Sequence, residues 1–354
     1  MTTAFDPIDL SGTRLAHRIA LAPMTRSRAG AGGTATELTA EYYAQRAADG
    51  LLVTEGIQPS LVGQGYAWTP GLHSAEQVAS WRRVTDAVHA KGGTIFAQLM
   101  HAGRISHPSL QPGGGRPVAP SAVAPEGQAF TNEGFQDFVE PRELTADEIR
   151  ATVADFAAAA RNAIEAGFDG VELHGANGYL IHQFLEPSTN RRTDEWGGAV
   201  ENRIRFAVET TKAVAEAIGA ERTAIRVSPG NPYNSMGAND PADTYTALVD
   251  ALEPLGLAYL HVLEASAEVR EVTADLRKRF GGTFVLNAFT EGPTDHRTLK
   301  EIENGLADII SFGALYLANP DLPARLRTEG PYNTPDPSSF FGGDAKGYTD
   351  YPSL

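Results

Sequence analysis

The sequence of 354 residues contains no cysteine. Disulfide bonds, thiolate metal ligands and a cysteine nucleophile are therefore excluded, although this absence says little about the cellular compartment. No apolar run reaches the ~20 residues that a membrane-spanning helix needs. The segment MTTAFDPIDL has neither a basic stretch nor a long apolar core, so it is not expected to be a secretory signal. We therefore expect a cytoplasmic protein that does not bind membranes.

Positive charge is also scarce, because 29 Lys and Arg stand against 44 Asp and Glu, a formal net charge of −15. Nucleic acids and anionic membrane surfaces require a basic face, so both are improbable partners. The 42% hydrophobic and 21% charged residues are ordinary for a globular protein with a large core. The length is compatible with several domains, but α/β barrels commonly exceed about 250 residues as one domain.

Short apolar segments alternate with longer segments of helical periodicity along the chain. The predicted strands are residues 18–22, 51–55, 94–99, 170–173, 223–227, 259–263, 283–286 and 308–312. The predicted helices between and after them are residues 37–48, 76–90, 146–166, 201–218, 243–255, 269–280, 294–305 and 320–328. Parallel strands need crossover connections, and eight such units are the number that closes a (β/α)8 barrel.

An open doubly wound sheet is the alternative fold. Such a sheet usually has a glycine-rich turn after its first strand. Here the first strand is followed by Pro-Met-Thr-Arg, without a GxGxxG pattern. We therefore predict a (β/α)8 TIM barrel that forms a single domain over residues 1–354.

Two segments fall outside the alternation of strands and helices. Residues 5–17 precede the first strand and are predicted to form a hairpin that closes the bottom of the barrel. Residues 102–142 follow the third strand, are rich in Gly and Pro, and show no periodicity. Loops of this length are usually functional or disordered. Because this loop leaves the C-terminal end of a strand, we predict that it acts as a lid over the active site.

Polar side chains are concentrated at the C-terminal ends of the predicted strands, where barrels of this type have their active sites. The densest group lies within residues 171–206, where His174, Asn177 and Tyr179 follow the fourth strand. Three hydrogen-bonding side chains fit an active site better than a core. The alternative is structural: His174 is then a satisfied histidine at a strand end, and Tyr179 packs under a loop.

Alternation along two strands directs a polar side chain into the barrel. In TAIRVSP the apolar neighbours of Arg226 should face the helices, so Arg226 faces inward, as does Gln98 in TIFAQLMH. A guanidinium group there is costly unless an anionic or strongly polarised group meets it. Gln98 can both donate and accept, which suits the imide edge of a flavin or a nucleobase. The structural alternatives are a salt bridge from Arg226 to Glu172 or Glu55 and a structural hydrogen bond for Gln98.

Three rival chemistries can be weighed for a barrel with these strand ends. A metal-dependent hydrolase could use His101, His174, His261 and Glu264, but neither HxH nor HExxH occurs. A Schiff-base aldolase needs a lysine at a strand end, and every lysine lies in a predicted helix or loop. A cofactor bound in the barrel mouth would use Gln98, Arg226 and a phosphate site in the last two loops.

Long motifs then add a resemblance that covers essentially the whole chain. They are LAPMTRSRA, EYYAQRA, GQGYAWTPGLHS, QLMHAGRISHPSLQPGG, VELHGANGYLIHQFLEPSTNRRTDEWGG, AIRVSP, LANPDLPARL and FFGGDAKGYTDYPSL. In these motifs the sequence resembles the Old Yellow Enzyme family of FMN-dependent ene-reductases. Within the family it looks like the bacterial branch that includes pentaerythritol tetranitrate reductase and N-ethylmaleimide reductase. This family has the (β/α)8 fold, with FMN at the C-terminal mouth.

The resemblance implies a reaction and a set of site residues. NADPH or NADH reduces FMN, and hydride then passes from FMN N5 to an electron-poor alkene: an α,β-unsaturated ketone, aldehyde, imide or nitroalkene. His174 and Asn177 would bind the carbonyl or nitro oxygen, and Tyr179 would donate the proton. The implied FMN contacts are Pro23, Thr25, Gly56, Gln98, Arg226, Asn287, Gly313 and Ala314. Tyr66, Met100 and Phe341, with His174 and Asn177, would contact the substrate. No metal is implied.

Four positions depart from the pattern of the family. Ala314 replaces an arginine expected at the FMN phosphate, Met100 replaces a tryptophan, Phe341 replaces a tyrosine, and Asn177 stands where relatives have a second histidine. Loss of the arginine should weaken FMN binding. One alternative is therefore a ligand-binding barrel with weakened FMN binding. The other is the metal-dependent hydrolase. The natural substrate, the choice of NADPH or NADH, and a monomer or a small homo-oligomer are left open.

Overall fold

Eight parallel strands form a closed barrel in the computed structural model, which describes residues 2–237 and 241–354. The strands are β1 (Ile19–Leu21), β2 (Leu51–Ile57), β3 (Thr94–Leu99), β4 (Gly170–Gly175), β5 (Thr223–Val227), β6 (Tyr259–Leu263), β7 (Thr283–Asn287) and β8 (Ile309–Phe312). Each strand pairs with its successor in the chain, and β8 pairs with β1. The predicted barrel is confirmed.

Helices follow the strands and pack around the barrel. The main ones are Glu37–Gln45, Ala75–His89, Ala146–Glu165, Arg205–Ile218, Pro241–Leu252 and Arg270–Arg279. Shorter helices are Leu180–Leu185, Val200–Arg203, Lys300–Glu303, Ala314–Ala318 and Leu322–Arg327. The first three main helices begin with capping boxes, in which side chains satisfy the free backbone N–H groups of the first turn. No described helix is long and apolar enough to cross a membrane.

Two predicted helices differ from the observed ones. The helix predicted over 201–218 is divided at Ile204, whose backbone nevertheless stays helical (φ −76°, ψ −15°). The helix predicted over 294–305 is a 3-10 turn, His296–Leu299, followed by the short helix Lys300–Glu303. Gly305 (φ 77°) ends that helix, because glycine adopts the left-handed conformation without steric cost.

The segment before β1 forms the predicted hairpin. Its antiparallel strands, Ile8–Leu10 and Thr13–Leu15, carry two buried leucines, Leu10 and Leu15. These leucines pack in one cluster with residues at the N-terminal ends of the barrel strands, among them Leu51, Tyr259 and Ile309. The hairpin therefore closes the bottom of the barrel, as predicted, and leaves the C-terminal end for the site.

The long segment after β3 lies over that C-terminal end. It contains an antiparallel hairpin, Gln128–Thr131 with Gly134–Asp137. Arg104 anchors the segment: its guanidinium donates to Val123 O (3.2 Å) and to Ser235 O (2.9 Å), which lies in the loop after β5. The segment has the position predicted for a lid.

A cluster of three buried arginines holds the segment 339–348 against the barrel. Arg26 Nη2 donates to Gly347 O (2.8 Å), Arg28 Nη2 to Ser339 O (3.0 Å), and Arg46 Nη2 to Tyr348 O (3.2 Å). The guanidinium groups of Arg26 and Arg28 also lie over the Tyr348 ring. These contacts bring Phe340 and Phe341 to the barrel mouth.

Candidate active site

A cavity of about 770 Å³ opens at the C-terminal end of the barrel. Among the predicted FMN contacts, Pro23, Thr25, Gln98 and Ala314 line it. All the predicted catalytic and substrate positions line it as well: Tyr66, Met100, His174, Asn177, Tyr179 and Phe341. The remaining predicted FMN contacts, Gly56, Arg226, Asn287 and Gly313, are not among the residues that line it.

His174 is a neutral hydrogen-bond donor at the cavity wall. Its Nδ1 accepts from the backbone N–H of Ala176 (3.3 Å), so the ring proton resides on Nε2. Burial, together with the nearby Arg226 charge, lowers the pKa of His174 well below its usual value. The imidazole can therefore donate to a substrate oxygen without carrying a charge.

Asn177 is fixed by a set of hydrogen bonds that sequence reasoning missed. Its backbone is left-handed (φ 56°), a conformation that asparagine tolerates better than most residues. Its N–H donates to Ser228 Oγ (3.0 Å), and its carbonyl accepts from Asn234 Nδ2 (2.8 Å). Asn231 Nδ2 donates to Asn177 Oδ1 (2.8 Å), which leaves the Asn177 amide N–H groups to donate. Asn231 lies in a loop without periodicity, so only the fold reveals its role.

Tyr179 and Tyr66 form a hydroxyl pair at the cavity wall. Their oxygens are 2.9 Å apart, and the rings meet edge to face. Burial raises the pKa of Tyr179 well above its usual value, although the hydrogen bond from Tyr66 and the nearby Arg226 charge act in the opposite direction. Burial likewise raises the pKa of Tyr66, with Tyr179 contributing. Both hydroxyls stay protonated at neutral pH, so Tyr179 can donate a proton and Tyr66 can donate to its oxygen.

Arg226 and Gln98 point into the barrel, as alternation predicted. Arg226 Nη2 donates to Asn287 Oδ1 (3.0 Å), and Gln98 Nε2 donates to Glu172 Oε1 (2.7 Å). Among the described residues, Arg226 forms no ion pair with Glu172 or Glu55 within 4.0 Å, and its buried Nε has no partner. A buried guanidinium N–H without an acceptor is expensive. The donor set therefore fits a cofactor with an acceptor-rich edge, such as the flavin that the resemblance implies.

The predicted phosphate end of the site has fewer side-chain donors. Ala314 begins the helix Ala314–Ala318. Gly313 is at the N-cap position, and no side chain forms a capping hydrogen bond there. Asn287 accepts from Arg226 and donates to Ser311 O (2.9 Å), so its amide supports the arginine. A phosphate here would depend mainly on backbone N–H groups, and the phosphate contacts stay a prediction.

The metal-hydrolase alternative gains no support from the geometry. Within residues 2–237 and 241–354, no three or more His, Asp or Glu side chains gather as a metal site. Burial lowers the pKa of His101 to about 4, and its Nδ1 accepts from Gly103 N–H (3.1 Å). His261 is bonded on both ring nitrogens to Glu172 and Ser311.

Comparisons with known proteins agree with the geometry. The sequence model of the NADH:flavin oxidoreductase / NADH oxidase family matches residues 3–333. The chain is 41% identical to 12-oxophytodienoate reductase 7 of Oryza sativa subsp. japonica, over 99% of this chain and 94% of the relative. It is 41% identical to a probable flavin mononucleotide-dependent alkene reductase of Leishmania infantum, over 98% and 96%.

Two solved structures have nearly the same fold. Morphinone reductase in complex with tetrahydroNAD gives a TM-score of 0.94 at 42% identity, covering 100% of this chain and 98% of that one. The old yellow enzyme homologue from Zymomonas mobilis gives a TM-score of 0.94 at 39% identity, covering 100% of both chains.

Proposed function

Because the chain belongs to the Old Yellow Enzyme family of FMN-dependent NADH:flavin oxidoreductases, we propose that it reduces the C=C bond of electron-poor alkenes. The substrates are α,β-unsaturated ketones, aldehydes, imides and nitroalkenes. The observation that carries the proposal is the convergence of the His174 and Asn177 donors and the Tyr179 hydroxyl on one cavity wall. Two neutral donors beside a proton donor suit a substrate that gains negative charge on oxygen and a proton on carbon.

When bound, FMN would supply the hydride chemistry that links NADH or NADPH to the alkene. Thr25 and Gln98, which line the cavity, and the inward-facing Arg226 would hold the flavin ring. The backbone around Gly313 and Ala314 would hold its phosphate. The unpartnered Nε of Arg226 would gain an acceptor when the cofactor binds.

His174 and Asn177 bind and polarise the substrate oxygen. Both donors are held before the substrate arrives, His174 by the Ala176 N–H and Asn177 by Asn231. Such preorganisation means that no reorientation energy is spent as negative charge develops on the oxygen.

Tyr179 protonates the α-carbon of the substrate. Its raised pKa keeps the proton in place until the carbon becomes basic. The Tyr66 hydroxyl, 2.9 Å away, can then donate to the Tyr179 oxygen and stabilise its charge. Met100 belongs to the same small apolar cluster as both tyrosines and lines the cavity.

The visible absorption spectrum of the purified protein tests the proposal. We expect a yellow protein that bleaches when NADH or NADPH is added without oxygen and regains its colour when 2-cyclohexenone follows. A reduced protein that no alkene of the proposed classes can reoxidise would refute the alkene reaction but retain the family. A protein that stays colourless after incubation with excess FMN would instead favour the ligand-binding alternative.

Introducing the missing cation should tighten FMN binding. Ala314→Arg places a guanidinium at the predicted phosphate end, and a charge-assisted hydrogen bond of about 1.5–3 kcal/mol corresponds to a roughly ten- to hundredfold lower Kd. Fluorescence titration of the FMN-free protein measures this Kd. Ala90→Arg, at an exposed position after the helix Ala75–His89, adds the same charge elsewhere and should leave the Kd unchanged. Equal effects of both variants would argue against a phosphate at Ala314.

A further inference from the structure

A line of four buried polar side chains crosses the barrel below the cavity. Glu172 is its centre: Oε1 accepts from Gln98 Nε2 (2.7 Å), and Oε2 lies 2.8 Å from His261 Nδ1. His261 Nε2 lies 2.8 Å from Ser311 Oγ. The four residues come from β3, β4, β6 and β8, and none is more than 2% exposed. Only Gln98 lines the cavity, so the other three act on a ligand only through it or through their charge.

Glu172 carries a negative charge in this line. Burial raises its pKa, but the nearby Arg226 charge and the hydrogen bonds from His261 and Gln98 outweigh burial, so the pKa lies below its usual value. Burial lowers the pKa of His261. The histidine is therefore neutral, with Nδ1–H donating to Glu172 and Nε2 accepting from the Ser311 hydroxyl. A buried carboxylate with this set of partners is a fixed charge.

Arg226 lies one layer closer to the cavity than Glu172. In the register of β4 and β5, Arg226 pairs with His174, two residues beyond Glu172 on the same inward face. The arginine and the carboxylate make no direct contact within 4.0 Å in the described part of the chain. The carboxylate therefore weakens the positive field of Arg226 at the cavity without taking up its hydrogen-bond donors.

We propose that Glu172 is a positioning residue that orients the Gln98 amide and lowers the reduction potential of bound FMN. Reduction adds negative charge to the flavin, and a fixed carboxylate in a low-dielectric interior opposes that addition. His261 and Ser311 hold the carboxylate in place. The inference depends on the FMN that the family binds and not on the identity of the alkene.

Glu172→Gln in the holoenzyme tests the proposal, because the substitution keeps the shape of the side chain and removes its charge. We expect the midpoint potential of bound FMN to rise. The Kd of oxidised FMN divided by the Kd of reduced FMN should increase about tenfold, which is an ordinary size for the Coulomb effect of a partly screened interior charge. Glu186→Gln is the matched control. Glu186 is also a buried glutamate beside a buried histidine, His182 (3.8 Å), but it has no bond to Gln98.

The ratio of the two Kd values distinguishes the outcomes. A rise in Glu172→Gln with no change in Glu186→Gln supports the proposal, whereas an unchanged ratio in Glu172→Gln, or equal rises in both, overturns it. Glu172→Asp keeps the charge and should stay within about twofold of the parent ratio. If Glu172→Gln does not fold, a tenfold rise in Glu172→Asp would overturn the role of the charge. Turnover of 2-cyclohexenone by the parent enzyme tests the proposed function separately.

Discussion

Replacing Tyr179 with phenylalanine is expected to slow the reduction of 2-cyclohexenone about 10²- to 10⁴-fold, the usual contribution of a positioned general acid. The variant keeps the aromatic ring in its cluster with Met100, so the substitution removes only the hydroxyl that donates the proton. Anaerobic reduction of the bound FMN by NADH needs no proton from this hydroxyl and should change by less than about twofold. Stopped-flow measurement of the two half-reactions separates these effects.

Tyr66→Phe is the control for this prediction. It removes the neighbouring hydroxyl at 2.9 Å and leaves the proton donor in place, so we expect a smaller loss in the same half-reaction. The raised pKa of Tyr179 favours the protonated form, and the alkene half-reaction of the parent enzyme should therefore not decline between pH 6 and about pH 9. Equal losses in both half-reactions of Tyr179→Phe would show that the substitution disturbs the cofactor instead.

His174→Ala should reduce the rate of the alkene half-reaction about 10²- to 10³-fold, as removal of one preorganised oxyanion donor does in other enzymes. The neutral imidazole donates through Nε2. In the variant, a water molecule that fills the vacated space would not be held in the same fixed geometry. Because the pKa of His174 lies well below its usual value, the parent rate should show no histidine titration between pH 6 and about pH 8. Single-turnover mixing of the reduced enzyme with 2-cyclohexenone measures the rate.

Asn177 and its support give the comparison for His174. Asn177→Ala removes the second donor and should lower the same rate. Asn231→Ala leaves Asn177 in place but frees its amide, so the loss should be smaller. If His174→Ala slowed reduction by NADH as much as reduction of the alkene, its assigned contact with the substrate oxygen would be wrong.

Most of the barrel could be predicted from the sequence because its strands are short, apolar and bounded by turn residues. The structure has β3, β5 and β6 at the predicted residues. The weakest prediction was the helix over 294–305, because Gly305 and the turn around Asp295 limit it to one short piece. Helical periodicity alone does not show where a glycine or a turn will end a helix.

The candidate site was predictable where alternation along a strand fixes the direction of a side chain. Arg226 and Gln98 face inward for that reason. The hydrogen bonds that extend from Glu172 were not predictable, because they join distant parts of the chain. Glu172 and His261 are 89 residues apart, and His261 and Ser311 are 50 residues apart. Which inward side chains touch depends on the stagger of the closed barrel, and no single strand contains that information.

The arginine cluster also constrains the order in which the protein can be completed during synthesis. Arg26, Arg28 and Arg46 follow β1 and emerge early from the ribosome, but each has an acceptor in residues 339–348, beyond β8. Until those carbonyls arrive, the three buried cations lack part of their hydrogen-bond acceptors, and the cavity lacks the wall formed by Phe340 and Phe341. A nascent chain with all eight strands would therefore still lack this wall of the cavity.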